Sequence, residues 1–275
     1  MIIKKLSFKA LFICLLIFIS VFAASFCAKA EIYSIDGFEI PIDIEINGTL
    51  LECPVPAFLD GGTTFVPVRA ISEAYGADVS WDDASKCATI SLGEKKVDFT
   101  IGENAVLYKD TTFVPVRAAS ETLGFSVEWD SFYFCVKISA PEVSLLPEQV
   151  KKAYTLDDVL VLAQILQCEC GSAFFESKIA VANVVTNRVA SPLFPDTVRE
   201  VIYDNRYGSI QFTPAYNGKI NNTPNSECIL ASKCALSGVN VAPGCLFFQA
   251  DYVKNSWMNR NREYAMSLGG NTFFY

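Results

Sequence analysis

The residue of this 275-residue chain that packing explains least is Glu169. Two apolar helical patterns meet within residues 164–188, and Glu169 stands at their junction, just before Gly171. A carboxyl group at the end of an apolar helix is partly stripped of water. That raises its pKa and lets it donate a proton near neutral pH, the property of a general acid. Its other reading is a helix-terminal carboxylate bonding backbone amides. Glu176 lies seven residues further on. On an unbroken helix the two carboxyls would stand about 10 Å apart on one face, wide for a cooperating acid–base pair. Gly171 is expected to break the helix, and Glu176 suits catalysis and a helix start equally, since acids favour that position.

The chain contains no histidine. A Ser-His-Asp triad and a Cys-His pair are therefore excluded, and most catalytic zinc sites lose their usual ligands. Carboxylates remain as the chief acid–base groups, with Lys and Tyr behind them. The formal net charge is −8, and the first 30 residues hold four lysines and no acid, so the rest is more acidic still. An acidic body is unsuited to phosphate backbones, and no nucleic-acid partner is expected. Eight cysteines follow residue 30, from Cys53 to Cys245. Outside the cell an even number permits disulfides, but the spacing selects no pairing. Cys168-Glu169-Cys170 is a weak redox or metal signal, and its apolar flanks suit buried thiols. No cofactor and no metal are expected.

An apolar content of 51% and this length provide for about two domains. Lys4, Lys5 and Lys9 precede an uncharged apolar run from Ala10 to Ala24, and Ala28-Lys29-Ala30 fits a small-x-small cleavage site. Residues 1–30 read as an export signal, too short in its apolar run for a permanent anchor. Thr63-Thr64-Phe65-Val66-Pro67-Val68-Arg69-Ala70 recurs 48 residues later at Thr111 to Ala118, and Trp81-Asp82 recurs as Trp129-Asp130. Each copy predicts a strand, a helix ended by glycine, and a strand carrying Val-x-Trp. The arginines are expected to pair internally and the tryptophans to be core. Cys87 and Cys135 hold equivalent positions and read either as neighbours or as separate core thiols. Asn47-Gly48 predicts a hairpin turn, and residues 140–153 a linker.

In the second half, Thr155 with Asp158 predicts a capped helix, followed by helices over about 175–189, 196–203 and from Asn225 to Gly238. Leu246-Phe247-Phe248 and Thr272-Phe273-Phe274 read as short strands. Residues 35–139 resemble the domain named for the amino terminus of copper amine oxidases, on the doubled Val-Pro-Val-Arg-Ala signature. With no histidine, the copper in that name finds no support. The domain reads as a wall-binding or positioning module.

Residues 155–275 resemble the SleB family of cell wall hydrolases, the spore-cortex-lytic type. Glu169 with Gly171, Glu176 to Val189, Phe194-Pro195-Asp196-Thr197-Val198, Gln211-Phe212, Pro243 to Phe248 and Gly269 to Phe274 carry the resemblance in order. It implies a lysozyme-like fold, cleavage of peptidoglycan glycan strands, and Glu169 as the catalytic residue. Two positions depart from the family pattern: a second glutamate is Ala173 here, and a histidine near the carboxyl end is Asn271. Glu176, Gln211, Phe212, Phe248 and Asn271 are candidate substrate contacts, although Gln211 and Phe212 would serve equally as turn and core residues.

The expected fold is thus α+β in two domains. A repeat-containing α/β accessory domain spans 31–140, with repeats at about 63–90 and 111–138. A linker covers 141–154, and a mainly α, lysozyme-like catalytic domain with a small β element covers 155–275. The expected activity is lytic transglycosylase cleavage of the MurNAc–GlcNAc bond in spore cortex or cell wall. Its alternatives are muramidase or amidase hydrolysis, or an inactive wall-binding protein. The expected partners are glycan strands and accessory germination or wall proteins, with no membrane contact after signal removal.

Overall fold

The computed structural model describes residues 32–206 and 210–275, so the export signal read at 1–30 lies outside the described residues. No helix among the described residues is long and apolar enough to cross a membrane.

The amino-terminal half is β-rich. The duplicated strands Thr63–Pro67 and Thr111–Pro115 pair antiparallel, Val66 opposite its counterpart Val114, so the two copies meet about an approximate two-fold axis. Phe58–Asp60 and Val106–Tyr108 flank them to complete a four-stranded sheet. Each duplicated strand stops where proline stops it. Pro67 and Pro115 take extended angles, and helices α1 (Val68–Ala74) and α2 (Val116–Leu123) begin at the next residue. Gly124 ends α2 at φ 98, a left-handed conformation open to glycine at no steric cost.

After their helices the copies diverge. Asp78–Asp82, Cys87–Leu92 and Lys95–Thr100 form a three-stranded sheet, whereas Ser126–Asp130 and Cys135–Ser139 join Asp43–Ile46 and Thr49–Leu50 in another. Cys87 and Cys135 therefore sit in different sheets, and all eight described cysteines are free. Both tryptophans differ from the core expectation: Trp81 is 45% exposed and Trp129 39%. Each stands on a strand with an outward-facing edge.

Asn47 and Gly48 turn at φ 50 and 86, the two left-handed residues of a tight hairpin. The Asn47 side chain also donates to the carbonyls of Ala140 (2.6 Å) and Val143 (2.9 Å) and accepts from Ala140 N–H (2.9 Å). Further along, Glu52 N–H donates to Gln149 (2.7 Å) and Lys151 N–H to Leu50 (2.9 Å). The segment read as a linker is thus pinned along the first half, because its backbone finds partners there.

The carboxyl-terminal half packs helices α3 (Leu156–Cys170), α4 (Phe175–Val189) and α6 (Ser226–Leu236) together, with the short α5 (Val198–Ile202) across them. Thr155 and Asp158 form a reciprocal capping box at the start of α3. The helix read at 196–203 is shorter than expected, since the Thr197 hydroxyl accepts from Glu200 N–H and sets its start at Val198. Residues 179–185 of α4 are all buried, the pattern of a central helix. A three-stranded sheet of Phe247–Ala250, Asn271–Phe274 and Tyr264–Leu268 follows, joined to α4 by Asn187 and Arg188, which donate to carbonyls of residues 242–246. Helix α7 (Trp257–Asn261) lies between the sheet strands in sequence.

The two halves share one continuous core. Lys233 of α6 is fully buried, donates to the carbonyls of Tyr133 (3.0 Å) and Phe134 (2.6 Å), and faces Asp43 at 3.0 Å. Asp43 is also fully buried and takes Lys151 at 2.6 Å and the Tyr154 hydroxyl at 2.9 Å.

Candidate active site

Glu169 occupies the last turn of α3 and keeps more than a third of its surface open. Loss of hydration around the carboxyl nevertheless raises its pKa above the ordinary glutamate value. Cys168 beside it donates to the Lys219 carbonyl at 3.4 Å, which brings the 219–221 turn against the end of α3.

Helix α3 ends at Gly171, and Glu176 belongs to the first turn of α4. The straight-helix separation therefore does not apply. The break is held from α6: Asn225 N–H donates to the Gln167 side chain (2.9 Å), and Asn225 Nδ2 to the Gly171 carbonyl (3.2 Å). Buried Lys178 pairs with Glu227 at 2.6 Å and also donates to the Ala173 carbonyl. Spacing did not reveal Gln167, Lys178 or Glu227 as positioning residues, because their partners lie about 50 residues away. Asn225 was legible only as a helix cap.

Gly269 brings a second element to this place. A Cβ built on it would lie 1.6 Å from Ser177 Oγ and 3.1 Å from the Phe174 ring. The 269–270 turn is thus packed onto the start of α4, and Asn271, the first residue of its strand, is carried beside the helix end that bears Glu176. Phe174, 49% exposed, lies on the connection between the two glutamates. It is an aromatic surface that the apolar pattern had not singled out.

The remaining candidates separate. Phe212 is 2% exposed and packs against Phe248 (6.4 Å) and Arg188 (5.5 Å), so its ring is a core surface and not an open platform for a sugar. Phe248 is half-buried and stacks on Phe273 at 6.1 Å. Gln211 is half-buried, its backbone N–H reaching the Asp204 carbonyl at 3.4 Å. Burial pushes the Cys170 and Cys234 thiols up to about 12 and raises that of Cys168, so none is poised as a thiolate near neutral pH.

Gly269→Ala is expected to destabilise the protein by about 1–3 kcal/mol, because the added methyl overlaps Ser177 and the backbone at φ 59 disfavours a side chain. Gly270→Ala, at φ 81 with nothing within 4 Å, carries the backbone strain alone. Urea unfolding of the two variants should separate packing from strain, with Gly269→Ala the weaker fold.

Residues 174–275 match the family model described as Cell Wall Hydrolase, a stretch that begins just after Glu169. Residues 45–131 match the Copper amine oxidase N-terminal domain. The spore cortex-lytic enzyme of Oceanobacillus iheyensis is 32% identical over 110 residues, 40% of this chain and 38% of that protein. That of Bacillus subtilis is 30% identical over 106 residues, 38% of this chain and 33% of that protein. The chain thus matches well under half the length of these curated relatives. Among solved structures, the catalytic domain of the germination-specific lytic transglycosylase SleB from Bacillus anthracis is 28% identical, covering 46% of this chain and 100% of that chain at a TM-score of 0.41. The chain has no histidine, and no group of three or more Cys, Asp or Glu among the described residues is placed to hold a metal ion, so its residues do not fit the copper of the second family's name. The chain thus carries a cell wall hydrolase domain over residues 174–275 and a copper amine oxidase N-terminal domain over residues 45–131.

Proposed function

We propose that this protein is a secreted peptidoglycan-degrading enzyme that cleaves the MurNAc–GlcNAc bond as a lytic transglycosylase, in spore cortex or cell wall. The observation that carries this reading is Glu169, a partly exposed residue whose carboxyl has a raised pKa, set shortly before a stretch of cell wall hydrolase type. Protonated Glu169 donates to the glycosidic oxygen as the bond to C1 breaks. The resulting carboxylate then takes the proton of the 6-hydroxyl of the same muramic sugar as that oxygen attacks C1. A 1,6-anhydro end forms and no water is consumed. One carboxyl serves both steps, and the Ala173 and Asn271 departures leave it in place.

Glu176, Asn271, Gln211 and Phe248 are the proposed substrate contacts. Phe174 is added as a ring on which a pyranose could stack. Phe212, being buried, acts only as support beneath Phe248. The proposed units are an accessory domain at 31–140, a connection at 141–154 and the catalytic domain at 155–275.

Mass spectrometry of muropeptides released from purified cortex and wall peptidoglycan tests the reading. Anhydro-muramic ends are expected. Reducing-end muramic sugars would replace it with hydrolysis, freed stem peptides with amidase action, and binding without products with an inactive wall-binding protein.

A further inference from the structure

The amino-terminal half contains a recess of about 530 Å³, lined among others by Trp81, Arg69, Glu73, Glu52, Asp110 and Glu148. That volume suits a small ligand or a few residues of peptide. The internal duplication supplies a comparison within the same molecule, since Arg69, Glu73 and Trp81 have counterparts in Arg117, Glu121 and Trp129.

In the second copy these residues serve the fold. Arg117 donates to Glu121 at 2.7 Å and to the Val127 carbonyl at 2.9 Å, and Trp129 packs edge-on against Phe134 at 5.9 Å. In the first copy neither the Arg69 nor the Glu73 side chain has a hydrogen bond or ion pair among the described residues. Trp81 joins no ring pair there; its indole N–H points to Asp83 at 3.5 Å and 45% of its surface is exposed. The same residue types that close on themselves in one copy are left facing a cavity in the other.

The charges around the recess indicate what fills it. Four carboxylates face one guanidinium, and an open indole attracts cations to its face. A neutral glycan can stack on the indole but brings no cation for the four carboxylates and no anion for Arg69. A ligand with an amine for the carboxylates and indole, and a carboxylate for Arg69, matches it. We propose that this recess binds a short peptide bearing a free side-chain amine and a carboxylate, the chemistry of an uncrosslinked diamino-acid stem. The peptidoglycan source rests on the function proposed above; the amine and carboxylate recognition does not.

Calorimetric titration of the full chain with L-alanyl-γ-D-glutamyl-diaminopimelate tests the proposal. Binding is expected to weaken about tenfold or more when the free side-chain amine is acetylated, and equally in Trp81→Ala and Arg69→Ala. Arg117→Ala should bind as the parent does. All three residues are exposed, so the fold should tolerate these changes. Absence of binding at millimolar peptide, indifference to amine acetylation, or unchanged affinity in Trp81→Ala would overturn the assignment. So would a peptide-free GlcNAc–MurNAc disaccharide that binds through Trp81. Because the readout is binding, failure of glycan cleavage leaves it intact, and failure here leaves cleavage intact.

Discussion

Glu169→Gln is expected to lower the rate of peptidoglycan cleavage by about 10²–10⁴-fold, the usual contribution of a positioned general acid. Glutamine keeps the shape and removes the proton, so binding should persist while turnover collapses. The raised pKa fixes the direction of the pH profile. The parent must begin the reaction protonated, and kcat/KM should fall as pH rises through that raised value. The same shift acts on stability in the same direction. A carboxyl with a raised folded pKa makes the native state bind the proton more tightly than the unfolded chain, so stability declines as it ionises. Glutamine escapes that cost. The variant should therefore be no less stable than the parent at pH 7 by urea unfolding, and a parallel loss of stability and activity would indicate a structural carboxylate instead.

Asp43→Ala should destabilise the protein by about 3–5 kcal/mol, since it leaves charged lysines without their buried partner. Lys233 is wholly enclosed and Lys151 nearly so. Burial by itself would raise the Asp43 pKa, but Lys233 and Lys151 together outweigh it and the net shift is downward from 3.8. With a lowered folded pKa, this stability is fully present above 3.8 and is lost only as pH falls below it through the folded value. The gap between parent and variant, measured by urea unfolding, should therefore be constant from neutral pH to mild acid and close in strong acid. Because Lys233 ties α6 to the 133–134 turn, amide exchange should also rise on both sides of the junction. Adding Lys233→Met to Asp43→Ala should recover part of the loss, as removing both members of a buried pair is milder than removing one. The carbonyls of Tyr133 and Phe134 would still lack their donor, so recovery should be incomplete.

What could be read in advance was what neighbours in sequence decide. The capping box of Thr155 and Asp158, the bounds Phe175–Val189 and the Asn47-Gly48 turn depend on hydrogen bonds and periodicity within a few residues. Glu169 was legible for the same reason, as a polar residue interrupting an apolar helix beside a glycine. Phe212 was not, because an aromatic residue in a loop carries no local mark of its burial, and only Arg188 and Phe248 folding over it decide that.

By itself, then, the sequence determined the helices of the second half, the duplication of the first, the lack of any imidazole chemistry and the place of Glu169 at the end of an apolar helix. Tertiary structure decided the rest. It buried Asp43 against Lys233 across 190 positions of chain, set the Gly269 turn on the start of α4, and pinned the 140–151 segment along the first half. It also gave Arg69 and Arg117, identical in motif, different surroundings, one lining a recess and the other bonded to Glu121. The physical reason is the same in each case: desolvation and pairing of charge depend on which distant surfaces close over a side chain, and local periodicity does not encode that.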